Sequence, residues 1–200
     1  MLKKIIFIIL LINMPIDKAI SYQDQEQVLP EAKPFYAEDS FLNYMEEVEN
    51  PNLSHGIIHK SAEGGNDTMA FGHKLTDEEI ENNEVYGYKL DDITPENANS
   101  ISKHILILDL QKADEKLKED YGEKYTNLDN ERKQMLLDFQ YNMGSGGLKK
   151  FSQFKEGIFS NDTDKMKQEY ERGFTDQDGE FKKLKDRNLK FFKQFLVDKE

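Results

Sequence analysis

The sequence predicts an α+β fold, mostly helical and two-lobed, with a small antiparallel β-sheet lobe, a long inter-lobe helix and a helical C-terminal lobe. Three observations carry that prediction. Residues 51–92 contain five glycines and only short apolar pieces, which suits strands and turns. Ala98, Ile101, Ile105, Leu108, Ala113 and Leu117 form one continuous stripe at helical spacing. Met135, Leu136, Phe139 and Met143 repeat with the same period until Gly144-Ser145-Gly146-Gly147 interrupts it.

The chain opens with Lys3 and Lys4, an unbroken apolar run over residues 5–12, and small residues at Ala19-Ile20-Ser21. In that order these features make a secretory signal peptide over residues 1–21. The run is shorter than the roughly 20 residues a membrane-spanning helix needs, and Met14-Pro15 ends it early. The alternative is an uncleaved membrane anchor. The expectation is a secreted or periplasmic protein with no stable membrane insertion once the signal is removed. Residues 22–40 carry Gln, Glu, Asp and two prolines without a sustained period, and read as a linker or extended arm. Residues 41–200 read as one folded domain.

Within that domain, Phe41, Leu42, Met45 and Val48 predict a short amphipathic helix running to about Glu49, with Pro51 as its stop. Between Pro51 and Asp92 no stretch is long enough for a helix. Ile57-Ile58 and Met69-Ala70-Phe71 predict a small twisted hairpin or three-stranded sheet with a loop at residues 60–67. Thr94 suits an N-cap and Pro95 the first helical position, where no amide hydrogen is needed, so the long helix is expected to begin there. Gly122 supplies its stop. Shorter helices are expected at residues 148–158, 162–172 and 180–197, with Phe191, Phe192 and Phe195 in the core.

At 200 residues, with 37% hydrophobic and 33% charged, the chain has enough apolar material for one compact core and is too charged for a membrane protein. Formal net charge is −12; removing residues 1–21 takes away three lysines and one aspartate and brings it to −14. Nucleic acid is excluded as a partner on this ground, because duplex binding needs basic clusters that displace counterions. No cysteine occurs, which excludes disulfides, thiolate metal sites and a cysteine nucleophile. His55, His59 and His73 lack the tight helical spacing of a zinc motif, so no metal is expected. No Gly-Lys-Ser/Thr follows residues 144–147, which read as a helix stop and turn rather than a phosphate loop.

Acid–base cleavage of a glycosidic bond needs carboxylates on a cleft. The acid must keep its proton near neutral pH, which a partly desolvated position at the end of an element provides. Glu49, closing the first helix just ahead of the sheet, has that position; alternatively Glu46, Glu47 and Glu49 form a solvated helix end. Two distant segments bear on the choice. Thr68-Met69-Ala70-Phe71-Gly72-His73-Lys74-Leu75-Thr76 resembles the T-I-G-x-G-H-x-L-T segment of the phage-type lysozymes, the endolysin family (glycoside hydrolase family 24). Asp138-Phe139-Gln140-Tyr141-Asn142-Met143-Gly144-Ser145-Gly146-Gly147-Leu148 and Phe151 resemble the family's helix–glycine–phenylalanine segment. Ile93-Thr94-Pro95-Glu96 and Ala98 are similar to the start of its inter-lobe helix, and Arg187, behind Leu184, to an arginine in its last helices. The shared order spans residues 41–197.

The resemblance implies a lysozyme-like fold with its active site between the lobes. It implies hydrolysis of the bond between N-acetylmuramic acid and N-acetylglucosamine in bacterial peptidoglycan, by a monomer needing no metal or cofactor. The family's catalytic glutamate matches Glu49, with Glu47 as the fallback. Its threonine, which helps place the attacking water, matches Thr68, and its structural histidine matches His73. In the family that histidine pairs with an aspartate on the inter-lobe helix; the direct counterpart here is apolar Ile105, while Asp109 lies one turn further on. The family's aspartate in the loop before the threonine aligns with Ser61, which cannot act as a general base unaided. Glu63 or Asp67, both read as part of that loop, are expected to take over as base. Alternatively Glu49 works with little help from a second carboxylate, or catalysis is lost and the protein binds peptidoglycan without cutting it. Ser61, Lys74, Tyr141 and Asn142 are expected to hold substrate, the tyrosine by ring stacking and the asparagine by amide hydrogen bonds. Core packing is the other reading of Tyr141.

Overall fold

The computed structural model describes residues 33–49, 58–60, 67–176 and 178–197. The signal peptide, the arm as far as residue 32, Pro51, His55, Ser61 and Glu63 lie outside the described residues. The architecture is α+β and mostly helical, with three small antiparallel sheets.

A short 3-10 turn at Phe35–Ala37 leads into α1 (Asp39–Glu49). Phe41 and Met45 are fully buried, one turn apart on the same face. Ala37 is also buried, and Phe35 and Tyr36 pack against the main core. Residues 34–40, read from sequence as part of an arm, therefore belong to the domain, because their aromatic rings bring apolar surface worth burying.

Strands β1 (His59–Lys60), β2 (Asp67–Met69) and β3 (His73–Lys74) form a three-stranded antiparallel sheet. Thr68 stands opposite both His59 and Lys74. Contrary to expectation a helix follows, α2 (Asp77–Asn82). It is nucleated by a capping box: the Glu79 amide donates to Oγ1 of Thr76, and the Thr76 amide donates to the Glu79 carboxylate. None of its residues is buried, so no apolar period announces it. A hairpin of β4 (Glu84–Val85) and β5 (Tyr88–Lys89) closes this region.

The long helix α3 spans Ala98–Tyr121 and stops at Gly122, whose φ is +54°. Its start lies beyond the expected Thr94 cap. The Asn97 side chain accepts from the Thr94 amide at 2.8 Å and donates to the Asp92 carbonyl at 2.9 Å. That closes a turn around Pro95 before the helix begins. Ala98, Ile105 and Leu117 are buried as the stripe predicts, but so are Ser102, Leu106, Leu110 and Asp114. Two cores explain the wider coverage. Ile105 packs in a small cluster with Met69, Ala70, Leu75 and Val85, while Leu106, Leu110 and Leu117 belong to the main cluster.

After α4 (Glu123–Thr126), α5 (Asn130–Leu148) is capped by Asp129, whose carboxylate accepts from the Arg132 amide. Its regular course is broken at Gly144, with φ 63° and ψ 177°, where the sequence predicts the break. The next helices are α6 (Ser152–Ser160) and α7 (Thr163–Glu169). Residues 173–183 form a hairpin of β6 (Gly173–Thr175) and β7 (Phe181–Lys183), so the last helix does not begin at residue 180 as expected. Asp176 accepts from the amides of Asp178 and Glu180, and Gly179 takes φ +82°. This turn chemistry outweighs a sequence that is otherwise compatible with helix. The last helix, α8 (Lys185–Phe191), continues into a π-helical turn at Phe192–Leu196. Phe139, Phe154, Phe191 and Phe195 form the aromatic centre of the main core. Among the described residues no helix is long and apolar enough to cross a membrane.

Candidate functional site

Glu49 is the last residue of α1 and lies on the helical face of Met45 and Phe41, four and eight residues before it. The apolar pair turns the glutamate inward: its side chain is only 12% exposed, and Oε1 is ion-paired with Nη1 of Arg187 from α8. The turn between β2 and β3 closes over the other oxygen. A Cβ on Gly72 would lie 3.4 Å from Glu49 Oε2 and 3.9 Å from Cε1 of Tyr141, and the backbone there has φ +98°. The positive φ demands glycine there, while the space would admit a β-carbon in ordinary contact. Tyr141, from α5, donates its hydroxyl to the Phe71 carbonyl at 2.8 Å, tying that turn to the helical core. Burial and the Asp109 and Glu49 charges hold its phenol well above the ordinary range, so it stays a donor.

Burial pushes the Glu49 carboxyl above its ordinary pKa; Arg187 pulls it down, and Asp138 adds to the upward push. A carboxyl so placed can hold a proton for delivery, which is the requirement for a general acid. Behind it lies a chain of buried charges. Arg187, 6% exposed, donates from Nη2 to Oδ1 of Asp138 at 2.5 Å. Asp138, fully buried on α5, meets Nη1 of Arg172 at 2.6 Å through its other oxygen. The Arg172 guanidinium is itself fully buried, 4.3 Å from the Phe139 ring centroid and 5.1 Å from that of Phe191. Although burial opposes its ionisation, the two guanidinium groups hold Asp138 below the usual carboxylate range.

His73 begins β3, immediately after Gly72. Its Nδ1 lies 2.9 Å from Asp109 Oδ2, and its Nε2 lies 3.2 Å from Glu79 Oε1. The histidine does pair with α3, through Asp109 rather than the Ile105 position, because Ile105 is taken up by the small apolar cluster. Tyr86 donates to Asp109 Oδ1 at 2.5 Å, with Lys112 over its ring. Burial alone would lower the His73 pKa, but the carboxylates of Asp109 and Glu79 more than offset it and raise it.

The remaining candidates divide. Thr68 is buried on β2, directly opposite exposed Lys74, so their side chains share one face of the sheet. Asp67 lies in β2 rather than in the preceding loop, and strand alternation turns it to the face away from Thr68. Pairing with β1 sets it opposite Lys60, whose Nζ is 2.8 Å from its carboxylate. Asn142 is half-buried, and its Oδ1 has no hydrogen-bond partner among the described residues. Glu47, the fallback acid, is two residues from Glu49 and so on nearly the opposite side of α1. It is 66% exposed, pairs with Lys190 at 3.2 Å, and faces a groove of about 740 Å³ between α1 and α8, lined by Tyr44, Val48 and Leu189. Among the described residues no group of three or more His, Asp or Glu side chains is arranged to hold a metal ion.

Asp138 and Arg172 are functional neighbours that sequence reasoning did not single out. A signal existed for the first: one carboxylate inside the apolar run Met135-Leu136-Leu137-Asp138-Phe139 demands a buried cation. Arg172, in the link after α7, had none. Comparison with protein-family models finds no match, and neither does comparison with curated proteins.

Proposed function

We propose that this chain is an exported lysozyme, a peptidoglycan N-acetylmuramidase of the phage type on a two-lobed lysozyme-like fold. The observation that carries the reading is the Glu49 carboxyl, buried at the end of α1 between Arg187 and the Gly72 turn and raised in pKa. Glu49 protonates the glycosidic oxygen between N-acetylmuramic acid and N-acetylglucosamine as the bond to the anomeric carbon breaks. Water adds to that carbon from the other face, near Thr68, and gives up its proton to a base. Asp67 pairs with Lys60 and is turned away from Thr68, so Glu63 is taken as the carboxylate for that step. The small cluster around the sheet and the main helical cluster both pack on α3, which is the support for reading two lobes. Tyr141 packs against the main core and closes the site beside Glu49 through its hydrogen bond to Phe71, with Asn142 next to it on α5.

The test is direct. The intact chain and its Glu49→Gln variant are added to purified peptidoglycan, and released fragments are identified by mass. Muropeptides with reducing N-acetylmuramic ends from the parent alone support the reading; absence from both removes it. A second reading, a non-catalytic peptidoglycan-binding protein, is favoured by Ser61 and by the Lys60-held Asp67. Hydrolysis that appears only on Ser61→Asp, with sedimentation of the parent on sacculi, selects that reading.

A further inference from the structure

Glu49, Arg187, Asp138 and Arg172 alternate in charge along one line of contacts and come from α1, α8, α5 and the link before β6. Arg172 is fully buried, and among the described residues its ion-pair partner is Asp138 rather than Glu49. A buried guanidinium is expensive to desolvate, and aromatic faces plus one carboxylate only partly compensate. Its backbone is fixed as firmly as its side chain. Asn188, the residue after Arg187, accepts from the Arg172 amide and donates to the Arg172 carbonyl, both at 2.9 Å. Side chain and main chain thus both register Arg172 against the helix that delivers Arg187 to Glu49.

We propose that Arg172 is a positioning residue for Glu49: by holding the far oxygen of Asp138, it determines how Arg187 divides its charge between Asp138 and the Glu49 carboxyl. The inference deepens the lysozyme reading and rests on it for the catalytic role of Glu49. Arg187 has two carboxylates to satisfy. With Arg172 present, Asp138 is shared between two cations, and Arg187 keeps attraction to spare for Glu49. Without Arg172, Asp138 draws fully on Arg187, and Glu49 feels a net anion behind its partner. The other groups facing Glu49 or this chain are the Tyr141 phenol from α5, which itself faces Asp109, and the Tyr44 phenol from α1. Both are held neutral by burial, so the balance is set by the four charges.

The alternation makes a signed test. Removing the distant cation by Arg172→Met should raise the Glu49 titration midpoint. Removing the intervening anion by Asp138→Asn should lower it. Each shift is on the order of one pH unit for a unit charge acting through an effective dielectric near 20. Arg172→Lys, which keeps the charge, should stay nearer the parent than Arg172→Met. The midpoint is read from the side-chain carboxyl carbon of Glu49 in protein labelled with ¹³C-glutamate, assigned by its loss in Glu49→Gln, with circular dichroism as the check of folding. Shifts of opposite sign support the proposal. Shifts of the same sign, or none, overturn it. If Arg172→Met fails to fold, the parent still decides: the guanidinium nitrogens of Arg172 should titrate with the Glu49 midpoint, and a flat Arg172 signal overturns the proposal. Peptidoglycan release is measured alongside. Its alkaline limb should move with the midpoint in each variant. Opposite midpoint shifts in proteins that release no fragments leave the charge relay standing and remove the lysozyme reading.

Discussion

Gly72 and Glu49 approach so closely that a β-carbon on the glycine would lie 3.4 Å from the glutamate's Oε2. Alanine at 72 would have to hold φ near +98° with its methyl group in contact with that oxygen. Gly72→Ala is therefore expected to cost about 1–3 kcal/mol of stability and to reduce peptidoglycan hydrolysis by more than the stability loss explains. Urea unfolding beside turnover at a temperature where the variant is fully folded separates the two effects.

Glu49 should be a liability to the fold. Its folded pKa is raised, so at pH 3 the folded and unfolded carboxyls are both protonated and its charge has no effect on stability. As pH rises, the unfolded chain ionises first and is favoured. Glu49→Gln should thus be more stable than the parent at pH 7, while inactive. The advantage should vanish towards pH 3. A variant less stable than the parent at pH 7 contradicts this account of the site.

His73 works with the opposite sign. Its raised pKa means that the protonated ring is favoured in the folded state, pinned between Asp109 and Glu79. That stabilisation is complete below the unfolded pKa of about 6.5 and is lost as pH rises through the folded value. His73→Gln should destabilise by about 1.5–3 kcal/mol at pH 5 and by clearly less at pH 9. An equal loss at both values, in thermal melts across the range, would rule out the ionic clamp.

Arg187 touches two buried carboxylates, so its removal leaves charge without compensation. Arg187→Met should lower stability by about 3–5 kcal/mol, or roughly 10 °C in Tm for a domain of this size. The loss should be smaller at pH 5 than at pH 8, because Glu49 can take up a proton.

In the proposed role, the formal net charge of −12, or −14 without residues 1–21, would set the protein against an anionic wall. Repulsion over distances near the Debye length, roughly 10 Å at 0.1 M salt, should slow encounter at low ionic strength. Hydrolysis of sacculi is expected to speed up between about 10 and 150 mM salt. Initial rates that fall steadily with salt would show attraction instead.

Where apolar side chains face a core, the sequence was readable. Phe41 and Met45 marked α1, and Ile105 and Leu117 marked α3, because burial imposes a period. It was silent where polar chemistry builds the element. Helix α2 buries nothing, so only the Thr76–Glu79 box betrayed it. The β6–β7 hairpin rests on Asp176 and Gly179 in a stretch whose Phe and Lys residues fit a helix as well. At the site, the position of Glu49 at a helix end was legible. Its environment was not, since Arg172 and Arg187 arrive from sequence-distant segments that no local pattern ties to it.

Asp138 and its partner Arg187 are 49 residues apart. A chain that collapses around the Leu136-Leu137-Phe139 core before the Arg172 segment and α8 dock must bury a carboxylate with no cation beside it. Such a state is penalised by several kcal/mol, so partly assembled forms should not accumulate. Packing of α5 should wait for the Arg172 segment and α8, coupling this helix to the C-terminal part of the domain in one transition. Asp138 thereby acts as a checkpoint on assembly: the helical core and the Glu49 pocket are expected to form together or not at all.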